Sequence, residues 1–352
     1  MRINKGQFRL TSRKKNIKFD LNRSKGHLIA FLSNRIKWHY YPRLNHVNKF
    51  PLHIDLELSS ACDLHCPMCY TTTDEFKSKV NRKFMSFDLF KKVIDESIQY
   101  DLYSIRISLR GEAFLNPHIF EMIEYAKEKG IKEISSLTHG GMLDEEKFKK
   151  LIKLDLDWLT ISFDGIGQTY EKIRSPLKFN EQIEKIKKYQ EIKKQLGVKK
   201  PVIKVQAIWP SISQNVEEFY NIFNPITDQI ASNPLIDWLF NDKDIEYEEN
   251  FSCPQIYQRM VIGSDGLVML CANDELGAHI IGDVNKQTVY EIWHGEELEK
   301  VRQIHKRRAG VKELEVCRRC SLPRKTTEAV KEIDNRTISI ENYTKRIQTV
   351  GK

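Results

Sequence analysis

From His53 onward the chain alternates short apolar or alternating runs with longer stretches whose apolar residues recur every three or four positions. Six runs predict strands: His53–Leu58, Tyr103–Leu109, Lys132–Leu137, Asp157–Phe163, Val202–Ile208 and Leu235–Phe240. Helices are predicted between them. Leu89, Phe90, Val93 and Ile94 follow a Ser86 cap, and Ile183, Ile186, Tyr189 and Ile192 share one face. This alternation predicts an α/β fold with a parallel sheet and right-handed crossovers. Six such units predict a partial (β/α)6 barrel rather than a closed eightfold one.

The rhythm stops after Asn241. An acidic linker, Asp242–Asn250, leads into a segment with a hairpin-like Ser264-Asp265-Gly266 turn and a helix around Thr288–His305. That segment reads as a small, separate, metal-organised module, and Arg324–Lys352 reads as helical or disordered. The organisation expected is an arm (1–50), a barrel (51–241), a cysteine-rich module (251–322) and a tail (323–352), without internal repeats.

Composition narrows the class. With 352 residues, 40% apolar and 30% charged, the chain has enough material for one large core and an appended module, and no apolar run approaches the roughly 20 residues of a membrane span. Met1–Leu10 is charged and has no apolar signal region, so a cytoplasmic location is expected. The net charge of +9 is uneven: residues 1–50 hold 13 Lys/Arg and one acid, Asp20, giving +12 and leaving −3 for the rest. An arm of this kind, with Trp38, Tyr40 and Tyr41 among its cations, suits an anionic partner such as nucleic acid, a phosphorylated sugar or a membrane surface. The bland alternative is a solvated flap packed on the main domain.

Seven cysteines in two distant groups make a poor disulfide framework and a good set of metal ligands. Cys62, Cys66 and Cys69 stand at C-x3-C-x2-C just past the first predicted strand, on the sheet edge where catalysts of parallel α/β folds sit. Three thiolates leave one iron of a four-iron cluster open to a further ligand. A zinc site, or buried small residues, is the competing reading.

The triplet, followed by Tyr70, resembles the C-x3-C-x-aromatic-C signature of the radical S-adenosylmethionine (SAM) superfamily, with Met68 at the usual aromatic position. The resemblance implies that SAM chelates the open iron and is cleaved reductively to a 5′-deoxyadenosyl radical, with electrons from an external donor of flavodoxin or ferredoxin type. Leu109-Arg110-Gly111-Glu112-Ala113 resembles the family's Gly-Gly-Glu-Pro loop for the SAM amino group, departing from it at Arg110 and Ala113. Gly111 and Glu112 are thus expected SAM contacts. Thr138-His139-Gly140 resembles a Thr-Asn-Gly turn and Ser162-Phe163-Asp164-Gly165 a Ser-x-Asp-Gly strand end, which adds Thr138, Ser162 and, for the SAM carboxylate, Arg174. No Walker-type phosphate loop is present.

Cys253, Gly266-x4-Cys271 and Cys317-x2-Cys320 supply four more thiolates, which suit either a zinc ribbon or a fully ligated 4Fe–4S cluster. Ile281-Gly282-Asp283-Val284 and Val289–Trp293 resemble SPASM domains, and four cysteines match the shortened twitch form with one auxiliary cluster. The likeness covers roughly residues 52–322. Two 4Fe–4S clusters and SAM are the implied cofactors.

Three ligands plus four exhaust the seven cysteines, so no thiol is left to return a hydrogen atom to a substrate radical. A saturated auxiliary cluster can instead accept an electron. This arrangement resembles the aminocyclitol dehydrogenases, and the expected reaction is oxidation of a carbohydrate or other small-molecule alcohol. Peptide modification, crosslinking or maturation included, is the alternative within enzymes. A zinc-ribbon nucleic-acid-binding protein is the alternative outside them.

Overall fold

In the computed structural model, which describes residues 7–235 and 245–343, six parallel strands form the barrel: β2 (His53–Leu56), β3 (Ser104–Arg106), β4 (Glu133–Thr138), β5 (Trp158–Ser162), β6 (Val202–Ile208) and β7 (Gln229–Asn233). They lie side by side in chain order. Ile54, Leu56, Ile105, Ile134, Leu159, Ile161, Ile203, Val205 and Ile230 are buried along them. The sixth strand differs from expectation: Gln229–Asn233 fills that place, and residues 236–240 of the expected run lie outside the described residues.

The crossover helices form where periodicity placed them. Ser86 accepts from Leu89 N at 3.2 Å to start Phe87–Gln99, which buries Phe90, Val93 and Ile94. Phe179–Gln195 buries Ile183, Ile186, Tyr189 and Ile192, with Tyr189 stacked on Phe148 at 4.1 Å.

The basic arm is built into this frame. β1 (Phe8–Arg9) pairs antiparallel with β7 and covers that sheet edge. Helices α1 (Arg13–Arg23) and α2 (Leu28–Tyr40) then cross the barrel at the N-terminal ends of its strands. There the Arg23 guanidinium lies over the rings of Phe31 (4.8 Å) and Trp158 (5.4 Å), and Asn34 Nδ2 donates to Leu52 O at 3.1 Å. His27 Nε2 lies 3.3 Å from Asp157 Oδ1.

The cysteine-rich module continues the same sheet. β8 (Arg259–Ile262) pairs parallel with β2, and β9 (Leu267–Met269) and β10 (Ile280–Asp283) extend it antiparallel. Its β8–β9 turn is the expected one, with Gly266 at φ +88°. The expected Thr288–His305 helix is two helices, Val289–Trp293 and Glu296–His305, divided at His294-Gly295. The tail is neither helical nor disordered in its described part: β11 (Thr326–Ile333) and β12 (Arg336–Tyr343) form an antiparallel hairpin. Asp334 and Asn335 turn it at φ +53° and +54°, the left-handed pair that Asp and Asn tolerate. Among the described residues, no helix is long and apolar enough to cross a membrane.

Candidate active site

The loop leaving β2 is pinned before it reaches its cysteines. Met85 N donates to Leu58 O at 3.0 Å, and Ser60 exchanges hydrogen bonds with Lys83, N to O at 3.1 Å and back to Oγ at 2.9 Å. Beyond that clamp, Cys69 N donates to Cys66 O at 2.9 Å, a turn that brings two of the thiols round. Cys62, Cys66 and Cys69 all line one cavity of about 320 Å³ at the C-terminal ends of the strands. Burial pushes the Cys62 thiol up to about 12 and Cys66 also upward, the nearby Cys69 adding to both, while Arg174 opposes the shift at Cys66. Three thiols lining one cavity, Cys62 and Cys66 of them raised by burial, are a donor set that an iron cluster satisfies, since it binds the thiolates.

Gly111 adopts φ +64°, and a Cβ there would lie 2.4 Å from Ala61 O and 2.7 Å from Ser59 O. Glycine is required because this loop rests directly on the start of the cysteine loop, where Glu112 N donates to Ala61 O at 2.8 Å. The Glu112 carboxylate is buried and gathers the next loop: Thr138 Oγ1 lies 2.9 Å from both its oxygens, His139 N donates to Oε2 at 3.0 Å and Phe114 N to Oε1 at 3.1 Å. Thr138 has one hydroxyl proton, so it satisfies one of those oxygens and leaves the other able to accept from an ammonium group. Gly111 and Glu112 line the cavity. Thr138 stands behind Glu112, holding it.

His139 is a site residue that the sequence did not single out. Its Nδ1 accepts from Gly141 N at 3.0 Å, so the ring proton is on Nε2, 2.8 Å from Asp63 Oδ1 and 3.2 Å from Glu112 Oε2. The ligand atoms of Cys62, Asp63 and His139 lie within 4.8 Å of one another, but this proton makes the imidazole a donor to Asp63 rather than a metal ligand.

Ser162 and Arg174 also line the cavity. Arg174 Nε donates to Asp164 Oδ2 at 2.8 Å, and Asp164 Oδ1 accepts from Ile208 N at 2.8 Å, which fixes the guanidinium beside Cys66. Gln206 and Asn233, at the ends of β6 and β7, complete the wall and are met by Gln7 of the arm, whose Nε2 donates to them at 2.7 and 3.3 Å. Single polar residues inside apolar strands carry no pattern, so periodicity passes over them.

The second cysteine group folds beside this wall. Cys253, Cys271, Cys317 and Cys320 are free thiols. Burial raises all four, Cys253 to about 12, and each of Cys253, Cys271 and Cys317 is pushed further by Cys320. Asn273 Nδ2 donates to Cys320 Sγ at 3.1 Å, and His305 Nε2 lies 3.4 Å from Cys317 Sγ. Four thiols, two buried and two half-buried, with Cys320 raising the other three, again suit a cluster. Arg110, where the loop departs from the family pattern, ties the two regions: Nη2 donates to Glu57 Oε2 at 2.7 Å and Nη1 to Glu275 O at 3.2 Å.

A partial parallel barrel with three thiols on the loop after its first strand, and four more in a module whose hairpin is added beside that strand, is the architecture of a cluster-dependent radical enzyme. Residues 56–203 match the radical SAM superfamily and residues 253–321 the iron–sulfur cluster-binding domain of SPASM type. The chain is a radical SAM enzyme with a C-terminal SPASM domain, and its cofactors are SAM and two 4Fe–4S clusters. It is 26% identical over 261 residues, 71% of each chain, to the tungsten-containing aldehyde ferredoxin oxidoreductase cofactor-modifying protein of Pyrococcus furiosus. It is 34% identical over 119 residues to a probable GTP 3′,8-cyclase of Methanococcus maripaludis, spanning 38% of that protein. In fold it resembles BtrN in complex with AdoMet and 2-DOIA, at TM-score 0.56 and 18% identity, over 78% of this chain and 94% of that one. It also resembles Streptococcus suis SuiB bound to its precursor peptide SuiA, at TM-score 0.55 and 14% identity, over 88% of each.

Proposed function

We propose that Cys62, Cys66 and Cys69 hold the cluster that binds SAM, that Cys253, Cys271, Cys317 and Cys320 hold the auxiliary one, and that the enzyme dehydrogenates a carbohydrate or other small-molecule alcohol. In this reading residues 51–241 are the catalytic barrel and 251–322 the auxiliary domain. When bound, SAM and its cluster supply a hydrogen-abstracting radical and the auxiliary cluster supplies an electron sink. The protein's own contribution is positional. Glu112, oriented by Thr138 and His139, receives the SAM ammonium; Arg174, fixed by Asp164, faces the SAM carboxylate; Ser162 offers a hydroxyl, and Gly111 allows the two loops to meet. An external donor of flavodoxin or ferredoxin type supplies the electron.

One observation carries the dehydrogenase reading: Ser321, the residue after Cys320, lines the same cavity as Cys62, Cys66 and Cys69. A substrate there faces the first thiol group and touches the residue next to Cys320 of the second, and the sequence holds no eighth cysteine to quench a radical. A cavity of about 320 Å³ is at the small-ligand end of binding sites. The cofactor-modifying relative and the 2-DOIA complex of BtrN favour a small molecule, whereas the SuiB–SuiA complex favours a second reading, peptide modification.

Anaerobic incubation of reconstituted enzyme with SAM, reductant and a panel of deuterated polyols tests the proposal. A product poorer by two hydrogens, with deuterium recovered in 5′-deoxyadenosine, is expected. An isomer that has gained a solvent hydrogen at the attacked carbon would rule the reading out.

A further inference from the structure

The arm's two helices bury one face against the barrel, and none of the described residues covers the other. On α2, Phe31 and Asn34 face inward, while Ile29 (86% exposed), Leu32, Ile36 and Tyr40, spaced three or four residues apart, form a single outer stripe. On α1, Ile17 and Leu21 are likewise half exposed, with Lys14 and Lys18 on the same side. Lys25 is exposed in the connection. Scattered apolar side chains on a surface need no explanation, but an ordered stripe rimmed by cations marks something that covers it.

Charge selects the covering. Residues 1–50 carry +12, and their one acid, Asp20, is occupied by Arg23 at 3.1 Å and Arg9 at 3.5 Å. A second copy meeting this face by two-fold symmetry would set the exposed Lys14, Lys18 and Lys25 of one chain against those of the other. Nucleic acid would use the lysines and leave the Ile/Leu stripe in water. An anionic lipid surface uses both: the aliphatic side chains enter the headgroup boundary and the lysines reach lipid phosphates. We propose that the outer face of α1–α2 is a docking surface for an anionic bilayer. Because the helices cross the N-terminal ends of the strands, the cavity at the opposite ends opens away from the lipid. This inference stands apart from the choice of substrate.

Co-sedimentation of the cluster-loaded protein with phosphatidylglycerol/phosphatidylcholine vesicles, against pure phosphatidylcholine, tests it. Binding to the anionic vesicles alone is expected, with release at about 0.5 M salt. The exposed substitutions Ile29→Glu, Leu32→Glu and Ile36→Glu together should weaken it at least about tenfold, with iron content and SAM cleavage unchanged. Lys14→Glu, Lys18→Glu and Lys25→Glu together should do the same. Equal partition onto both vesicle types, or a triple variant that binds like the parent, overturns the proposal. So does a parent dimer in sedimentation velocity that the Ile/Leu variant dissolves, since the stripe would then join copies of the chain.

Discussion

His305 stands between two of the auxiliary cysteines: Nδ1 accepts from Cys253 N at 3.2 Å, which places the ring proton on Nε2, 3.4 Å from Cys317 Sγ. Burial pushes its pKa down to about 4, so the ring is a neutral donor at physiological pH. Hydrogen bonds to cluster sulfurs raise reduction potentials. His305→Phe is expected to lower the auxiliary midpoint potential by something on the order of tens of millivolts, read by EPR-monitored titration. Iron content should stay at the parent level, and His305→Gln should recover part of the shift.

Replacing Cys62, Cys66 and Cys69 together by Ala should abolish formation of 5′-deoxyadenosine. Reconstituted iron should fall from about eight to about four per chain. The complementary set, Cys253, Cys271, Cys317 and Cys320, should lower iron equally but leave some SAM cleavage, because in the proposed reaction hydrogen abstraction precedes oxidation. Zinc retained stoichiometrically by that set would contradict the assignment.

Gly111→Ala introduces a Cβ 2.4 Å from Ala61 O at a backbone conformation of φ +64°. Backbone strain of about 1–3 kcal/mol is expected from the conformation alone. The loop bearing Cys62 must move to relieve the clash. SAM binding, measured calorimetrically, and barrel-cluster iron should both drop while the auxiliary cluster's EPR signature persists.

Asp157 is fully buried and accepts from Lys200 Nζ (2.7 Å), Lys127 Nζ (2.6 Å) and Ile134 N (2.7 Å), with His27 of the arm at 3.3 Å. Burial alone would raise its pKa, but His27, Lys127 and Lys200 outweigh it and the net shift is downward. A depressed carboxylate stabilises the fold above its unfolded pKa of about 3.9 and loses that contribution as pH falls through the lower folded value. Asp157→Asn should therefore cost about 3–5 kcal/mol near neutrality, since it strands buried cations. The gap between parent and variant in urea midpoint should close only below about pH 4.

What the sequence made legible follows from where each signal resides. Five of the six expected barrel strands overlap the observed ones because aliphatic residues recur at alternate positions along most of them, Ile54 and Leu56, Leu159 and Ile161, Ile203 and Val205 among them. Gln229-Ile230-Ala231-Ser232-Asn233 carries no such signal, because one large aliphatic residue is too little for a pattern, although Gln229, Ala231 and Ser232 are all buried. The tail hairpin hides for a related reason: Thr326–Ile333 is mostly polar, and its surest mark is the Asp334-Asn335 pair. The cysteines announced themselves by spacing. His139, Gln206, Asn233 and His305 did not, because each acts through a partner that only the fold brings near.

The parallel pairing of β8 with β2, Ile54 opposite Met260 and Leu56 opposite Ile262, has a kinetic consequence. Cys62, Cys66 and Cys69 follow β2, and Cys271 follows β9 of the hairpin added beside it, while Arg110 joins Glu57 of the first region to Glu275 O of the second. If the two thiol groups held clusters as proposed, this strand pairing would help to fix the span between them, and an electron passing from one to the other would not wait on hinge motion. Raising solvent viscosity should slow substrate entry and product exit while leaving that internal hop untouched.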